Sequence, residues 1–181
     1  CDSTMHVSCI AGLRDYYGLE KRPVTVQDVF TMAGTMEEDL LDAMGVDTAP
    51  AYPLGTHFGL RRDKVKEWTN LQGQTILVPE DFNPQPDGKG GYFVHTKGDL
   101  SLSPSGHMPA KSFYFDAVLR QEPFEEEDLK PTDNLMEWTL FDDENLQYLR
   151  KQAEEGAAMG RAVVFAAPGM GLGDAGDIPG D

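Results

Sequence analysis

The fold class follows from residues 35–52, which read TMEEDLLDAMGVDTAPAY. Thr35 and Glu38 have the spacing of a capping box, in which each side chain satisfies a backbone N–H of the first helical turn. The apolar residues that follow recur at helical spacing and form one stripe: Leu40, Leu41 and Met44. Gly45 ends the predicted helix, because glycine adopts the left-handed conformation of a helix C-terminus at little cost.

A short strand is predicted directly after this helix, over Val46 to Tyr52, bounded by Pro50 and Pro53. Near the other end of the sequence, a long helix ended by Gly160 precedes Ala162 to Ala166. That uninterrupted apolar run is typical of a parallel strand buried on both faces. A helix followed by a strand is half of an α/β unit, so the sequence predicts an α/β fold.

Three other helices are predicted from apolar periodicity and capping residues. They lie over residues 5–17, 113–121 and 143–159. The candidate N-caps of the first helix are Asp2, Ser3 and Thr4, and those of the last are Asp142 and Asp143.

Residues 64–102 differ in character and predict a β-meander inserted in the α/β domain. Three β-rich runs, at 65–69, 75–78 and 92–96, are separated by turn-forming residues. Residues 83–91 are dense in proline and glycine, which predicts a polar, mobile loop without regular structure.

Composition limits the classes of function. The chain has 181 residues and a formal net charge of −16, a size typical of one domain and a charge that repels nucleic acids and anionic lipid surfaces. No apolar run is long enough to span a membrane. Two cysteines cannot form a disulfide scaffold, so we expect a cytoplasmic protein.

No motif in these residues identifies a reaction. Gly171, Gly173 and Gly176 match the glycine pattern of dinucleotide sites, but the helix and the acidic ribose ligand that should follow are lacking. Cys1, His6 and Cys9 lack the paired spacing of a zinc site, so a buried structural cysteine and a partly exposed histidine are the better interpretation. Three further histidines are scattered without a nucleophile signature, and we expect the last of them to be structural: His57, His95 and His107.

The order of longer segments carries more information than these motifs. The segments are LRDYYGLE at 13–20, RPV at 22–24, DVF at 28–30, EEDLL at 37–41, GVD at 45–47, VPEDFNP at 78–84, GDLS at 98–101 and FYFDAVLRQEP at 113–123. This succession resembles the N-terminal half of the uroporphyrinogen decarboxylase-like family, in the branch related to corrinoid-dependent methyltransferases.

The resemblance implies a TIM (β/α)8 barrel whose site lies at the carboxyl ends of the strands. A complete barrel needs about 250 residues, so residues 1–181 would form a single incomplete barrel domain with 64–102 as its β-rich insertion. Unpaired strand edges favour association, and the expected partner is the missing C-terminal half or a second copy of the chain.

The function implied is transfer of a methyl group between a small methylated compound and a corrinoid protein or a thiol. The zinc ligands of this branch lie in the family's C-terminal half, so no cofactor is expected on this chain, its catalytic residues are unknown, and alone it is expected to be inactive. The residues placed at the barrel mouth to bind substrate are Asp2, Ser3, Thr4, Tyr52, Pro53, Gly169, Gly171 and Gly173.

Two alternatives remain open. The first is uroporphyrinogen decarboxylase of tetrapyrrole synthesis, which the resemblance disfavours because no aspartate follows the strand at 46–52 in the manner of that enzyme. The second is a non-catalytic binding or assembly subunit, whose meander and acidic surface recognise a partner protein.

Overall fold

The structure, a computed structural model, describes residues 4–119, 125 and 141–165. Within these residues it is a mixed α/β structure with three α-helices and several sheets. The helices are α1 (Val7–Tyr16), α2 (Glu38–Met44) and α3 (Asp143–Ala158). The strands are β1 (Val24–Asp28), β2 (Ala33–Gly34), β3 (Thr48–Ala51), β4 (Val65–Thr69), β5 (Thr75–Pro79), β6 (Gln85–Pro86), β7 (Tyr92–His95), β8 (Pro104–Met108), β9 (Asp116–Ala117) and β10 (Ala162–Phe165).

The first sheet has the strand order β2-β1-β5-β4 and mixes both pairing directions. β1 runs parallel to β5, with Val24 opposite Ile76, whereas β4 pairs with β5 in the antiparallel direction. Alternate residues of β1 are buried, which places Val24 and Val26 in the core and Asp28 at the buried end of the strand. The sheet therefore ends at a carboxylate that faces inward.

α1 is joined to α2 by an ion pair in which the arginine is buried and the carboxylate is half-exposed. Arg14, only 3% exposed, donates to both carboxylate oxygens of Asp39 at 2.9 and 2.8 Å and to the carbonyl of Glu20. This bidentate geometry is the strong form of an arginine–carboxylate contact.

α3 links the parallel strands β3 and β10 in a β–α–β arrangement, as the α/β prediction requires. Ala49 pairs with Val163, and both lie against Gly156 of α3. A Cβ on Gly156 would lie 2.9 Å from Ala49 Cβ and 3.1 Å from Val163 Cγ2, so only glycine lets the helix approach this closely.

β10 is not buried on both faces as its sequence predicts. Val163 faces α3, but Ala162 and Val164 point to the opposite face, where Val164 is 40% exposed. Pro50 of β3 is also exposed on that same face, which no helix or strand of the described residues covers, and we call it the uncovered face. The apolar run predicted the strand correctly. It could not predict that one face of the strand is exposed, because burial depends on distant parts of the chain.

The runs in 64–102 form strands, although they do not form one meander. β4 and β5 belong to the first sheet, whereas β7 lies in a separate antiparallel sheet of order β6-β7-β8-β9. All of these strands lie in the connection between β3 and α3. The boundaries of the proposed insertion, and its place in an incomplete barrel, stay predictions.

Several local predictions were wrong. The N-cap of α1 is His6, whose Nδ1 accepts from the Ser8 N–H, and not Thr4, while Asp2 and Ser3 lie outside the described residues. α2 begins after Glu37 without a side-chain cap, so no capping box forms. No helix occupies 113–119, where β9 lies instead. Within 83–91, Asp87 accepts from the Lys89 and Gly91 N–H groups and orders the turn.

The three sheets do not close into a barrel within the described part of the chain. None of the helices there combines the length and apolar character needed to cross a bilayer.

Candidate functional site

The carboxyl ends of β1 and β3 meet at Arg62. Its Nε donates to the Gln27 carbonyl at 3.0 Å, and its Nη1 donates to the Pro53 carbonyl at 2.7 Å. One guanidinium thus joins the ends of strands that belong to two different sheets. In α/β folds ligands bind where the carboxyl ends of parallel strands face solvent.

Asp28 and His57 form an ion pair at this position. Nδ1 of His57 lies 2.7 Å from Oδ1 of Asp28, whose side chain is 12% exposed against 63% for His57. The other carboxylate oxygen accepts from the N–H and hydroxyl of Thr31, at 3.0 and 2.7 Å. Asp28 therefore orients the imidazole and leaves Nε2 facing outward, as in a carboxylate–histidine pair for proton transfer.

The pair shifts the pKa values of both groups. Burial raises the pKa of Asp28, but the hydrogen bonds and charge of His57, with the Thr31 donors, outweigh burial and lower that pKa to about 2. The Asp28 hydrogen bond raises the pKa of His57, against burial and the charge of Arg62. His57 is thus biased toward the imidazolium form, which can donate a proton.

Arg62 lies 5.1 Å from the ring centre of Tyr52, in a cation–π contact. No carboxylate in the described part of the chain forms an ion pair with it, and burial lowers its pKa. Tyr148 of α3 is close enough that its charge and that of Arg62 affect each other. We call Asp28, Tyr52, His57 and Arg62 the strand-end cluster.

α3 holds the loop that carries this cluster. The Gln152 side chain accepts from the Tyr52 N–H at 3.3 Å and donates to the Tyr52 carbonyl at 2.6 Å. Asn145 accepts from the Leu54 N–H at 3.2 Å. The loop is therefore anchored by side chains far along the sequence.

Backbone strain occurs beside His57. Phe58 has φ 61°, a left-handed conformation that is rare outside glycine. Its ring packs against Phe30 and Phe115, at centroid distances of 6.0 and 6.2 Å. These aromatic contacts hold the strained residue, and the Phe30 ring also lies 5.2 Å from that of His57. Such strain is concentrated at functional sites.

A polar groove of about 350 Å³ adjoins the loop. It is lined by residues of the loop, of α3 and of neighbouring turns, among them Arg61, Asp81, Lys97 and Glu144. Arg61 is already neutralised by Asp63 at 2.8 Å and Glu144 at 2.7 Å. Arg61 is thus paired with two carboxylates, whereas Arg62 forms no ion pair within the described part of the chain.

The predicted substrate-binding residues fall into three groups. Tyr52 and Pro53 lie at the strand-end cluster, where Pro53 contributes its carbonyl to Arg62. Thr4 is exposed just before α1, and no hydrogen bond of the cluster described above involves it. Outside the described residues lie Asp2, Ser3, Gly169, Gly171 and Gly173. Their role in substrate binding stays a prediction.

Sequence reasoning missed Asp28, His57 and Arg62. The alternating run from Val24 to Asp28 carried a usable signal, because it predicts a half-buried strand that ends at a carboxylate. His57 and Arg62 lie in a loop with no periodicity, and only tertiary pairing brings them to Asp28.

The other histidines have structural partners. His6 caps α1 and contacts the Phe113 carbonyl at 3.1 Å, and His95 contacts the Leu102 carbonyl at 2.8 Å. His107 lies in β8 rather than in a loop, stacks on Phe93 and pairs with Asp87 at 2.9 Å. Among the described residues no three His, Cys, Asp or Glu side chains are grouped so that they could hold a metal ion.

The chain was compared with protein-family models, with curated proteins and with solved structures, and none of the three comparisons finds a match.

Proposed function

We propose that the protein is the N-terminal part of a uroporphyrinogen decarboxylase-like methyltransferase, which moves a methyl group between a small methylated compound and a corrinoid protein or a thiol. The observation that carries the proposal is the Asp28–His57 pair, with its 2.7 Å contact at the carboxyl end of β1. The family proposal itself rests on the order of sequence segments.

The chemistry of the pair suits methyl transfer. A nucleophile of the acceptor attacks the methyl carbon, and the bond from that carbon to oxygen, nitrogen or sulfur of the donor breaks. The departing atom keeps the electron pair and becomes a better leaving group when it is protonated. An imidazolium oriented by Asp28, with its ring largely exposed, can donate that proton from Nε2.

The β3/β10 sheet supports an incomplete barrel. α3 covers one face of this parallel pair, and the opposite face exposes apolar side chains, including Val164. In a TIM barrel the helices cover the outer face, and side chains of all strands fill the interior. Under this proposal, the exposed face of β3 and β10 would belong to such an interior.

The test is methyl transfer by the native protein that contains this chain. It is incubated with reduced cobalamin and with methyl ethers, methylamines or methyl thioethers, and methylcobalamin is followed by absorbance. We expect transfer from one donor class, slowed about a hundredfold by His57→Gln. Arg61→Gln is the matched control on the same loop and should leave the rate unchanged. Absence of transfer from all three classes by the folded protein would refute the proposal.

A second candidate is a non-catalytic assembly subunit, favoured by the same exposed face of β3 and β10. It predicts a partner that covers Val164 and predicts no effect of His57→Gln on any activity of the assembly. The coding sequence after residue 181 separates the candidates, since a downstream His-x-Cys motif supports the methyltransferase.

A further inference from the structure

The strand-end cluster contains an arginine, Arg62, that forms no ion pair with any carboxylate of residues 4–119, 125 and 141–165. Arg62 uses Nε and Nη1 for backbone carbonyls, which carry no net charge. Within the described residues its Nη2 makes no hydrogen bond. Nor is it among the buried side-chain atoms without a partner, which are Asn70 Nδ2 and Arg161 Nε, so Nη2 reaches solvent.

Asp28, the carboxylate whose charge acts on Arg62, makes no hydrogen bond or ion pair with it. Both oxygens of Asp28 are occupied, one by His57 and the other by Thr31. Asp28 therefore has no hydrogen bond left for Arg62, and its charge acts on the guanidinium only through space, where it raises the pKa of Arg62 against the effect of burial. An arginine that pairs with no carboxylate of the described residues stands out in a protein with a net charge of −16.

The neighbouring arginine shows the alternative arrangement. Arg61 forms bidentate contacts with Asp63 and with Glu144 on the protein surface. Two adjacent arginines thus differ in that Arg61 is paired with carboxylates and Arg62 is held rigidly by carbonyls, with the Tyr52 ring 5.1 Å away. A rigid, partly desolvated guanidinium with an open N–H edge is suited to bind an oxyanion.

We infer that Arg62 binds a carboxylate or phosphate group of the methylated substrate through its Nη2 edge, while His57 faces the atom that leaves the methyl group. The substrate class is therefore a small methylated compound that also carries an oxyanion. This inference rests on the proposed function only for the methyl group. Anion binding can be measured without any transfer.

The experiment is isothermal titration calorimetry of the folded protein at pH 6 and constant ionic strength. Inorganic phosphate is the probe in one series, and acetate is the probe in the other. We expect saturable one-site binding. The probe that binds more tightly identifies the substrate group as a phosphate or a carboxylate. Absence of saturation with both probes would overturn the inference.

Variants locate the binding site. Arg62→Gln should weaken binding at least about tenfold, whereas Arg61→Gln should change it less than about twofold. His57→Gln removes a nearby charge and leaves the carbonyl contacts of Arg62 intact, so it should weaken binding about threefold. Equal losses in the two arginine variants would contradict the assignment to Arg62.

Two controls keep the outcomes separate. If Arg62→Gln does not fold, the histidine variant and the ¹H–¹³C signal of His57 in the unmodified protein decide, since bound anion must shift that signal. If anion binding is saturable but no methyl transfer occurs, the proposed function fails and the anion site stands. If transfer occurs without anion binding, the inference alone fails.

Discussion

Asp28 and His57 stabilise the fold together only in a limited pH range. The pKa of Asp28 falls from 3.8 to about 2, so its contribution is present above pH 3.8 and is lost as pH falls through 2. The pKa of His57 lies above 6.5 in the folded protein, so its contribution is complete below pH 6.5 and is lost as pH rises through the folded value. The joint contribution is therefore greatest between these limits.

Asp28→Asn tests this pH dependence. We expect the substitution to lower the free energy of unfolding by about 1–2 kcal/mol at pH 5–6, and by less at pH 2 and pH 9. It should also lower the pKa of His57, whose neighbouring ionisable groups are Asp28 and Arg62. Urea unfolding across pH and NMR titration of His57 measure the two effects.

The control for this prediction is Asp15→Asn. Asp15 pairs with Lys21 at 3.1 Å, but both side chains are exposed, so its loss should cost little at any pH. A pH-independent loss of stability in Asp28→Asn would show that the pair is not charged as described.

Gly98 is a position where the backbone requires glycine. It has φ +69°, and an added Cβ would lie 2.0 Å from the carbonyl oxygen of Asp81. We expect Gly98→Ala to lower the free energy of unfolding by about 2–4 kcal/mol, since the obstruction is backbone. The matched control is Gly12→Ala in α1, which meets nothing within 4 Å and should stabilise by about 0.5–1 kcal/mol. Thermal unfolding of both variants decides, and similar losses would contradict the prediction.

At the scale of elements, α3 anchors the loop of the strand-end cluster through Gln152 and Asn145, and Gln152 makes two of the three hydrogen bonds. Gln152→Leu removes both bonds to Tyr52, so we expect the free energy of unfolding to fall by about 1–3 kcal/mol. Hydrogen exchange of the Tyr52 N–H should accelerate. Gln147→Leu, on the exposed side of the same helix, should change stability by no more than about 0.5 kcal/mol. Equal effects of the two substitutions would show that the Gln152 amide does not hold Tyr52 in place.

The elements predicted correctly are those with local signals. α2 ends at Gly45 and α3 ends shortly before Gly160, both glycines being left-handed, and Asp142 caps α3 by accepting from the Asn145 N–H at 2.8 Å. The strand at 75–79 was recognisable from its apolar run, but its parallel partner β1 lies about fifty residues earlier, so its sheet could not be predicted. Caps were less predictable, because His6 competes successfully with residues that usually cap better.

The candidate site was also predictable only in part, because most of its residues meet through contacts between distant segments. Tyr52 could be placed from the strand that precedes it, since substrate groups meet at carboxyl ends of strands. Asp28, His57 and Arg62 come together through pairings between β1 and a loop about thirty residues later, and no local pattern encodes such a contact.

At the scale of the whole molecule, the uncovered face of β3 and β10 predicts association. Val164, which is 40% exposed, points to this face, and an apolar sheet face is normally covered. We expect light scattering after size exclusion to give a mass above 20.0 kDa for this chain at about 100 µM. Val164→Asp should return it to the monomer.

Leu100→Asp is the control, because Leu100 is similarly exposed but lies far from β10 in sequence, between β7 and β8. It should leave the association unchanged. A stable monomer of the unmodified chain at that concentration would contradict the prediction and weaken the case for an incomplete barrel.

The anchoring of the His57 loop has a consequence for biosynthesis. Gln152 and Asn145 reach Tyr52 and Leu54 from 100 and 91 residues further along the chain. On the ribosome, the loop therefore leaves the exit tunnel well before the helix that fixes it, and its backbone groups stay hydrated in the meantime. A nascent polypeptide stalled before codon 143 would carry most of its strands but would present that loop to chaperones and proteases without its anchor.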